Sequence, residues 1–158
     1  MSNKERIGKS LDLLRQGLYP YVKQKMQADY GDEWVDNAGS YLRDYQKVKQ
    51  ELETILQEDT SALLTVIARD KVFKRKTGLS RPDLARVSEL REIRNQWAHQ
   101  ATFSIEDTYR AIDTVLRLLK SIESAQVKAV EKQRQQVLRL LAQEQSGYDI
   151  DPVAVSPV

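Results

Sequence analysis

Apolar residues recur at intervals of three and four along most of this chain, the spacing of one face of an α-helix. Ile7, Leu11, Leu14, Leu18, Val22 and Met26 predict a first helix over 4–28, and Pro20 predicts a kink or split within it. Tyr19 and Tyr21 flank that break and read as packing aromatics. Tyr30-Gly31-Asp32 is a turn signal, with Asp32 placed to cap one short helical turn over 33–38. Gly39 and Ser40 then weaken the pattern. Tyr41 to Gln57 predicts a second, peripheral helix with Leu42, Tyr45, Val48, Leu52, Ile55 and Leu56 to bury. Asp59 or Thr60 caps the next helix, ALLTVIARDKVF, whose Leu63, Leu64, Ile67 and Phe73 are core candidates.

The basic stretch KRKTGLSRPD, 74–83, predicts a loop closed by Ser80 as N-cap, with Pro82 in the first turn of the helix that follows. That helix covers Leu84 to His99. Leu84, Val87, Leu90, Ile93, Trp97 and Ala98 form its apolar face, and Arg94 falls in the middle of it. A guanidinium keeps its proton there, so Arg94 must be paired inside the fold or lie where two surfaces meet around an anion. Asn95 is one turn before His99. Arg94 and His99 lie roughly 140° apart on a continuous helix, and converge more easily across a dimer axis or where the helix frays.

Ser104 and Asp107 then form a capping box with Asp in place of the usual Glu or Gln. The helix they open can run to about Gln145, roughly 60 Å at 1.5 Å per residue. That is too long for a compact domain of this size, with its radius of gyration near ~15 Å. Ile112, Val115, Leu119 and Ile122 keep the seam, Gln126 and Gln133 interrupt it, and Val137, Leu140 and Leu141 resume it. The expected organisation is a helical domain over 1–125, a projecting helical arm over 126–146 that pairs with a partner helix or a second copy, and a disordered tail or linker over 147–158.

Composition narrows the chemistry. At 158 residues, with 41% hydrophobic and 30% charged residues, the chain reads as one soluble globular domain with a real core. No apolar run reaches the length of a membrane span, the polar start does not resemble a signal peptide, and a cytoplasmic location is the default expectation. Zero cysteines exclude disulfides and thiol chemistry; with a single histidine they argue against a zinc site, and no cofactor is expected. The net charge of +2 hides a segregation. Residues 29–59 carry nine acidic against three basic residues, and 69–94 carry nine basic against four acidic. The basic segment leads into Arg94 and His99, and both a phosphate-attracting field and a solvated, internally paired face fit it. The basic loop 74–83 is the candidate phosphate-touching surface element.

RNQWAH, Arg94 to His99, resembles the R-N-x-x-x-H signature of the HEPN superfamily, small all-helical domains that include metal-independent RNases. The flanks LDLLRQGLYPYV, YGDEW, VSELR and FSIEDTYRAIDTVLRLLKSI resemble the Swt-type HEPN branch, over about residues 7–125. The resemblance implies an all-α HEPN-like helical bundle and a homodimer with the motif at its two-fold interface. It assigns Arg94, Asn95 and His99 as site residues of an endoribonuclease, or, in non-catalytic members, of a dimerisation or RNA- or protein-interaction module. It also implies association with a larger ATPase or bacterial defence or stress-response protein. In the catalytic reading His99 moves protons near neutral pH, Arg94 holds the phosphate, and Asn95 orients His99 or donates to substrate. In the structural reading Arg94 pairs with a buried carboxylate and His99 is a helix-end histidine favoured by the dipole.

Overall fold

The computed structural model describes residues 1–43 and 47–149. Among these the chain is all helical. The elements are α1 (Asn3–Tyr30), α2 (Trp34–Gly39), α3 (Lys49–Glu58), α4 (Thr60–Arg69), α5 (Arg81–Ala98), α6 (Ile105–Ser121) and α7 (Val127–Asp149), with 3₁₀ turns at Gly31–Glu33 and Lys71–Lys74. No helix among the described residues is long and apolar enough to cross a membrane.

The long α1 runs through the bundle, and Ile7, Leu11, Leu14, Leu18, Val22 and Met26 are buried, as its spacing predicts. Pro20 does not split it. The ring sits on the exposed side of a continuous helix, where the missing N–H costs least. Tyr19 and Tyr21 pack where expected, Tyr19 against Trp34 and Tyr21 against Phe73, with centroids 6.4 and 5.9 Å apart.

The second predicted helix starts later than its pattern suggests. Tyr41 to Arg43 are turn residues, Tyr45 lies outside the described residues, and α3 opens only at Lys49 from an extended Val48. Tyr41 is diverted by a stronger partner: its hydroxyl donates to Asp70 at 2.9 Å. Asp70 is fully buried and also accepts from the Tyr30 hydroxyl and the Val72 N–H. Two phenols and a backbone amide thus satisfy a carboxylate that has no cation against it among the described residues, and they join α1, the segment after α2 and the turn after α4. Burial, the Asp70 bond and the nearby negative charge push the Tyr41 phenol up to about 12, and the same causes raise Tyr30.

The C-terminal half departs most from expectation. The predicted 104–145 helix is broken: α6 closes with Glu123 at φ 54°, the Ser124 N–H reaching Leu119 O and the Glu123 N–H reaching Lys120 O. This is a Schellman turn, built here on glutamate instead of the usual glycine. The chain reverses, Ser124 Oγ accepts from Gln126 N, and α7 packs back on α6 and α1. The long C-terminal helix is present, but it does not project from residue 126. Val130 and Val137 are in the core, and Leu140 and Leu141 pack against it. Gln133 interrupts the apolar seam because it meets a polar partner, the buried Ser10, whose hydroxyl donates to Gln133 Oε1 at 2.7 Å. Arg134 reaches Asp113 on α6 at 2.8 Å, beside Arg117. Burial pushes the Asp113 carboxyl up, but hydrogen bonds and charge from Arg117 and Arg134 outweigh it and hold the group below its ordinary value. Exposed positions begin to dominate only after Leu141, and of the expected tail, residues 147–149 belong to α7 while 150–158 lie outside the described residues.

Candidate functional site

At its start, α5 is held by Ser80, whose Oγ accepts from Asp83 N, with Pro82 in the first turn. The helix is 18 residues long, so its two ends stand about 27 Å apart. Val87 and Leu90 are buried and Leu84, Ile93 and Trp97 pack against the core. The apolar stripe is therefore consumed inside the bundle, and it is not free to form the centre of a dimer interface. The C-terminal end of α5 is clamped by the start of α1. Trp97 Nε1 donates to Lys4 O at 3.0 Å, and Lys4 Nζ sits 5.7 Å from the indole centroid while donating to Gln100 Oε1 at 2.7 Å. Gly8 permits this approach, since a Cβ there would stand 3.1 Å from the indole.

The helix ends in a second Schellman turn. His99 is the cap at φ −95°, ψ 22°, Gln100 takes φ 63°, and the N–H groups of Gln100 and Ala101 reach Trp97 O and Gln96 O. Leaving the helical path at His99 removes the angular obstacle that a continuous helix sets between Arg94 and His99. Arg91, Arg94, Asn95 and Ala98, spaced by three and four, line one wall of a cleft of about 560 Å³, and His99 closes its end. The facing walls are α4, through Asp59, Ser61, Thr65 and Arg69, and the Tyr41–Arg43 segment. All three residues of the sequence motif, Arg94, Asn95 and His99, thus line a single cleft.

Arg94 is not the buried ion pair that its place on the helical wheel suggests. Its side chain is 31% exposed, and its nearest carboxylate, Asp59, stands 3.9 Å away and is itself 44% exposed. Asp59 Oδ1 already accepts from Ser61 N at 2.9 Å as the cap of α4. The guanidinium therefore keeps its hydrogen-bond donors available to a ligand, and such a half-solvated pair contributes only about 0–1 kcal/mol. Asn95 and His99 are exposed, and their side chains have no hydrogen-bond partner among the described residues. Among the described residues four arginines, Arg43, Arg69, Arg91 and Arg94, line the cleft against one aspartate. Neither Arg69 nor Arg91 has a carboxylate within 4.0 Å among the described residues.

Arg43, Arg69 and Arg91 were not singled out by the sequence. Arg91 is readable as one turn before Arg94, but Arg43 and Arg69 join the site only through the tertiary packing of α4 and the turn. The basic loop is not part of it. Residues 74–83 sit at the other end of α5, tied to α1 by Lys25 Nζ on Thr77 O and Arg75 on Asp29, both within 2.9 Å. Among the described residues no three His, Asp or Glu side chains are grouped to hold a metal ion. The cleft suits an extended anion: fixed guanidinium charge along two walls, one imidazole at the end, and amide and hydroxyl groups between.

A family model described as Swt1-like HEPN matches residues 9–123, from the second turn of α1 to the reversal after α6, and leaves α7 outside. No curated protein and no solved structure matches the chain.

Proposed function

Because the chain belongs to the Swt1-like HEPN family, we propose that the cleft at the end of α5 cleaves RNA by metal-independent transesterification, with two copies of the chain supplying one composite site. The observation that carries the proposal is the placement of Arg94, Asn95 and His99 around one open cleft, lined among the described residues by four arginines and one aspartate. In this reading the 2′-oxygen attacks the adjacent phosphorus and the bond to the 5′-oxygen breaks. The products are a 2′,3′-cyclic phosphate and a 5′-hydroxyl. One group must take the 2′-proton and another must protonate the leaving oxygen. The chain has a single histidine, so a symmetric dimer meets both needs with His99 of each copy. Arg94 and Arg91 hold the phosphate and offset the charge that grows on its oxygens. Asn95 is one turn from His99 and donates to substrate or fixes the imidazole once the site is complete.

The free state of His99 supports a second reading. An imidazole with no orienting hydrogen bond among the described residues is not aligned for proton transfer in one copy alone, and a module that binds RNA or a protein through the arginines uses the same cleft. One experiment separates the two. The purified chain is incubated with single-stranded RNAs in EDTA, and cleavage and molecular mass are measured on the same samples for wild type and His99→Ala. The nuclease reading expects a dimer that cuts, and a His99→Ala dimer that binds RNA but does not cut. A wild type that binds RNA without cutting any of a varied set gives the module reading.

A further inference from the structure

Away from the cleft, α1, α6 and α7 enclose a second cavity of about 170 Å³. Its floor is apolar, from the buried Ile112 and Val137. Its rim carries Arg6 and Lys9 from α1 and Lys132, Gln133 and Gln136 from α7, with no acidic side chain among the lining residues. None of the three cations has a carboxylate within 4.0 Å among the described residues. Arg6 Nε is buried and has no hydrogen-bond partner among the described residues. Such a group costs free energy unless something accepts from it. Gln133 is aligned by its own bond: Oε1 accepts from Ser10 Oγ, which leaves the Nε2 amide as the end free to donate.

We infer that this cavity is a binding site for a compact phosphate-type oxyanion, either free orthophosphate or the terminal phosphate of a small monoester, held between α1 and α7. Every polar group identified on the rim can donate, as an anion requires, and both Gln133 and the Arg6 guanidinium sit on an apolar floor that strengthens charge-assisted bonds. At about 170 Å³ the cavity is smaller than the ~300–1,000 Å³ of drug-sized ligand pockets. It takes a phosphate group and leaves any organic remainder outside. Its walls belong to helices that are separate in the chain, so an anion that bridges them stabilises the docking of α7. This site is independent of the RNA reading of the arginine cleft.

The test is thermal unfolding of the full chain in inorganic phosphate and in chloride at matched ionic strength, for wild type, Lys132→Gln, Arg6→Gln and, as a control for the arginine cleft, Arg94→Gln. The expected result is a rise in Tm of about 5 °C at a hundredfold excess of phosphate over its Kd. Arg94→Gln keeps that rise, and Arg6→Gln and Lys132→Gln lose most of it. Lys132 is exposed, so its variant stays folded if Arg6→Gln does not. A nucleoside monophosphate in a parallel arm distinguishes the source: equal shifts mean that the phosphate group alone is recognised, and a larger shift identifies a monoester. The inference is overturned if phosphate acts no more strongly than chloride, or if its effect survives in Lys132→Gln and disappears in Arg94→Gln.

Discussion

The two ends of α5 are built from the same kinds of residue and do opposite things with them. At the first end Asp83 is almost fully buried, and every oxygen is used: Arg86 Nη1 donates at 2.7 Å, Ser121 Oγ at 3.0 Å and Ser80 Oγ at 3.1 Å. The Asp83–Arg86 pair there is closed, and the Ser121 bond fastens α5 to α6. At the other end Arg94 faces a carboxylate at 3.9 Å that is already engaged, and Arg69 and Arg91 have none within reach among the described residues. Charge there is in excess and half-solvated. Polar groups that close on one another hold a fold; polar groups left open toward a cleft are available to a ligand, and that difference supports the proposed site without reference to any motif.

That contrast is broken most directly by exchanging the two kinds of damage. Asp83→Ala leaves an arginine and two hydroxyls without their acceptor, and it should cost about 3 kcal/mol of unfolding free energy. The folded fraction should bind and cleave RNA as wild type does. Arg94→Gln should change stability by less than about 1 kcal/mol, because a half-exposed pair at 3.9 Å contributes little, and should lower cleavage about a hundredfold or more. Urea unfolding and cleavage rates on both variants decide it. If Arg94→Gln unfolds the protein as readily as Asp83→Ala does, the open end is structural after all.

Much of the fold and the motif was legible in the sequence, but the closed Asp83 end was not, since the basic loop 74–83 beside it read as the phosphate-touching element. The core of α1, the Ser80 and Ser104 caps and the R-N-x-x-x-H run all carry local signals, and the fold follows from apolar spacing that tertiary contacts do not overrule. Two of the misreadings share one physical cause, a local signal outvoted by a distant partner. Gln133 looked like an interruption of the seam because its partner, Ser10, lies 123 positions away. Tyr41 looked helical because Asp70 cannot be seen from residues 38–45. The break at Glu123 was hidden for another reason: left-handed turns are signalled by glycine, and here the positive φ is carried by a side chain that gives no warning. Arg94 was placed among apolar residues by the helical wheel, although an arginine at the edge of a stripe can reach past it into a cleft.

A smaller effect sharpens the comparison from the alkaline side. Tyr41 is part of the cleft wall and is held there by donating to Asp70. Burial first, then that bond and the Asp70 charge, raise its phenol from 10 to about 12. A group whose pKa is higher in the folded state contributes stability that is complete below its unfolded value, here about pH 10, and that fades as pH rises through about 12. The cleft wall should therefore loosen between those values, because its phenol is bonded to its carboxylate. At the Asp83 end the Tyr21 phenol is also raised, by burial and by the Asp83 charge, but Asp83 takes its hydrogen bonds from Arg86, Ser121 and Ser80. Tyrosinate absorbance near 295 nm should show a late step, to which Tyr30 and Tyr21 also contribute, that Tyr41→Phe reduces, and proteolysis in the same range should begin beside Tyr41. Ionisation of every tyrosine near pH 10 would contradict the buried bond.

The smallest effect concerns the turn that delivers His99 to the cleft. Gln100 holds φ 63° without being glycine, at a cost of about 1 kcal/mol relative to a residue free of Cβ. What it gains is the bond from Lys4, an exposed contact worth a fraction of that. Gln100→Gly should therefore raise stability slightly, by about 0.5 kcal/mol after the lost contact is subtracted. Glu123 is the internal standard: it has φ 54° in the same kind of turn, and its side chain makes no hydrogen bond or ion pair among the described residues. Glu123→Gly should gain more, up to about 1 kcal/mol. Denaturant midpoints at constant m measure both. The order of the two gains tests whether Lys4 contributes to the His99 turn: equal gains would show that it does not, and a loss in both variants would show that neither turn carries the strain its φ implies.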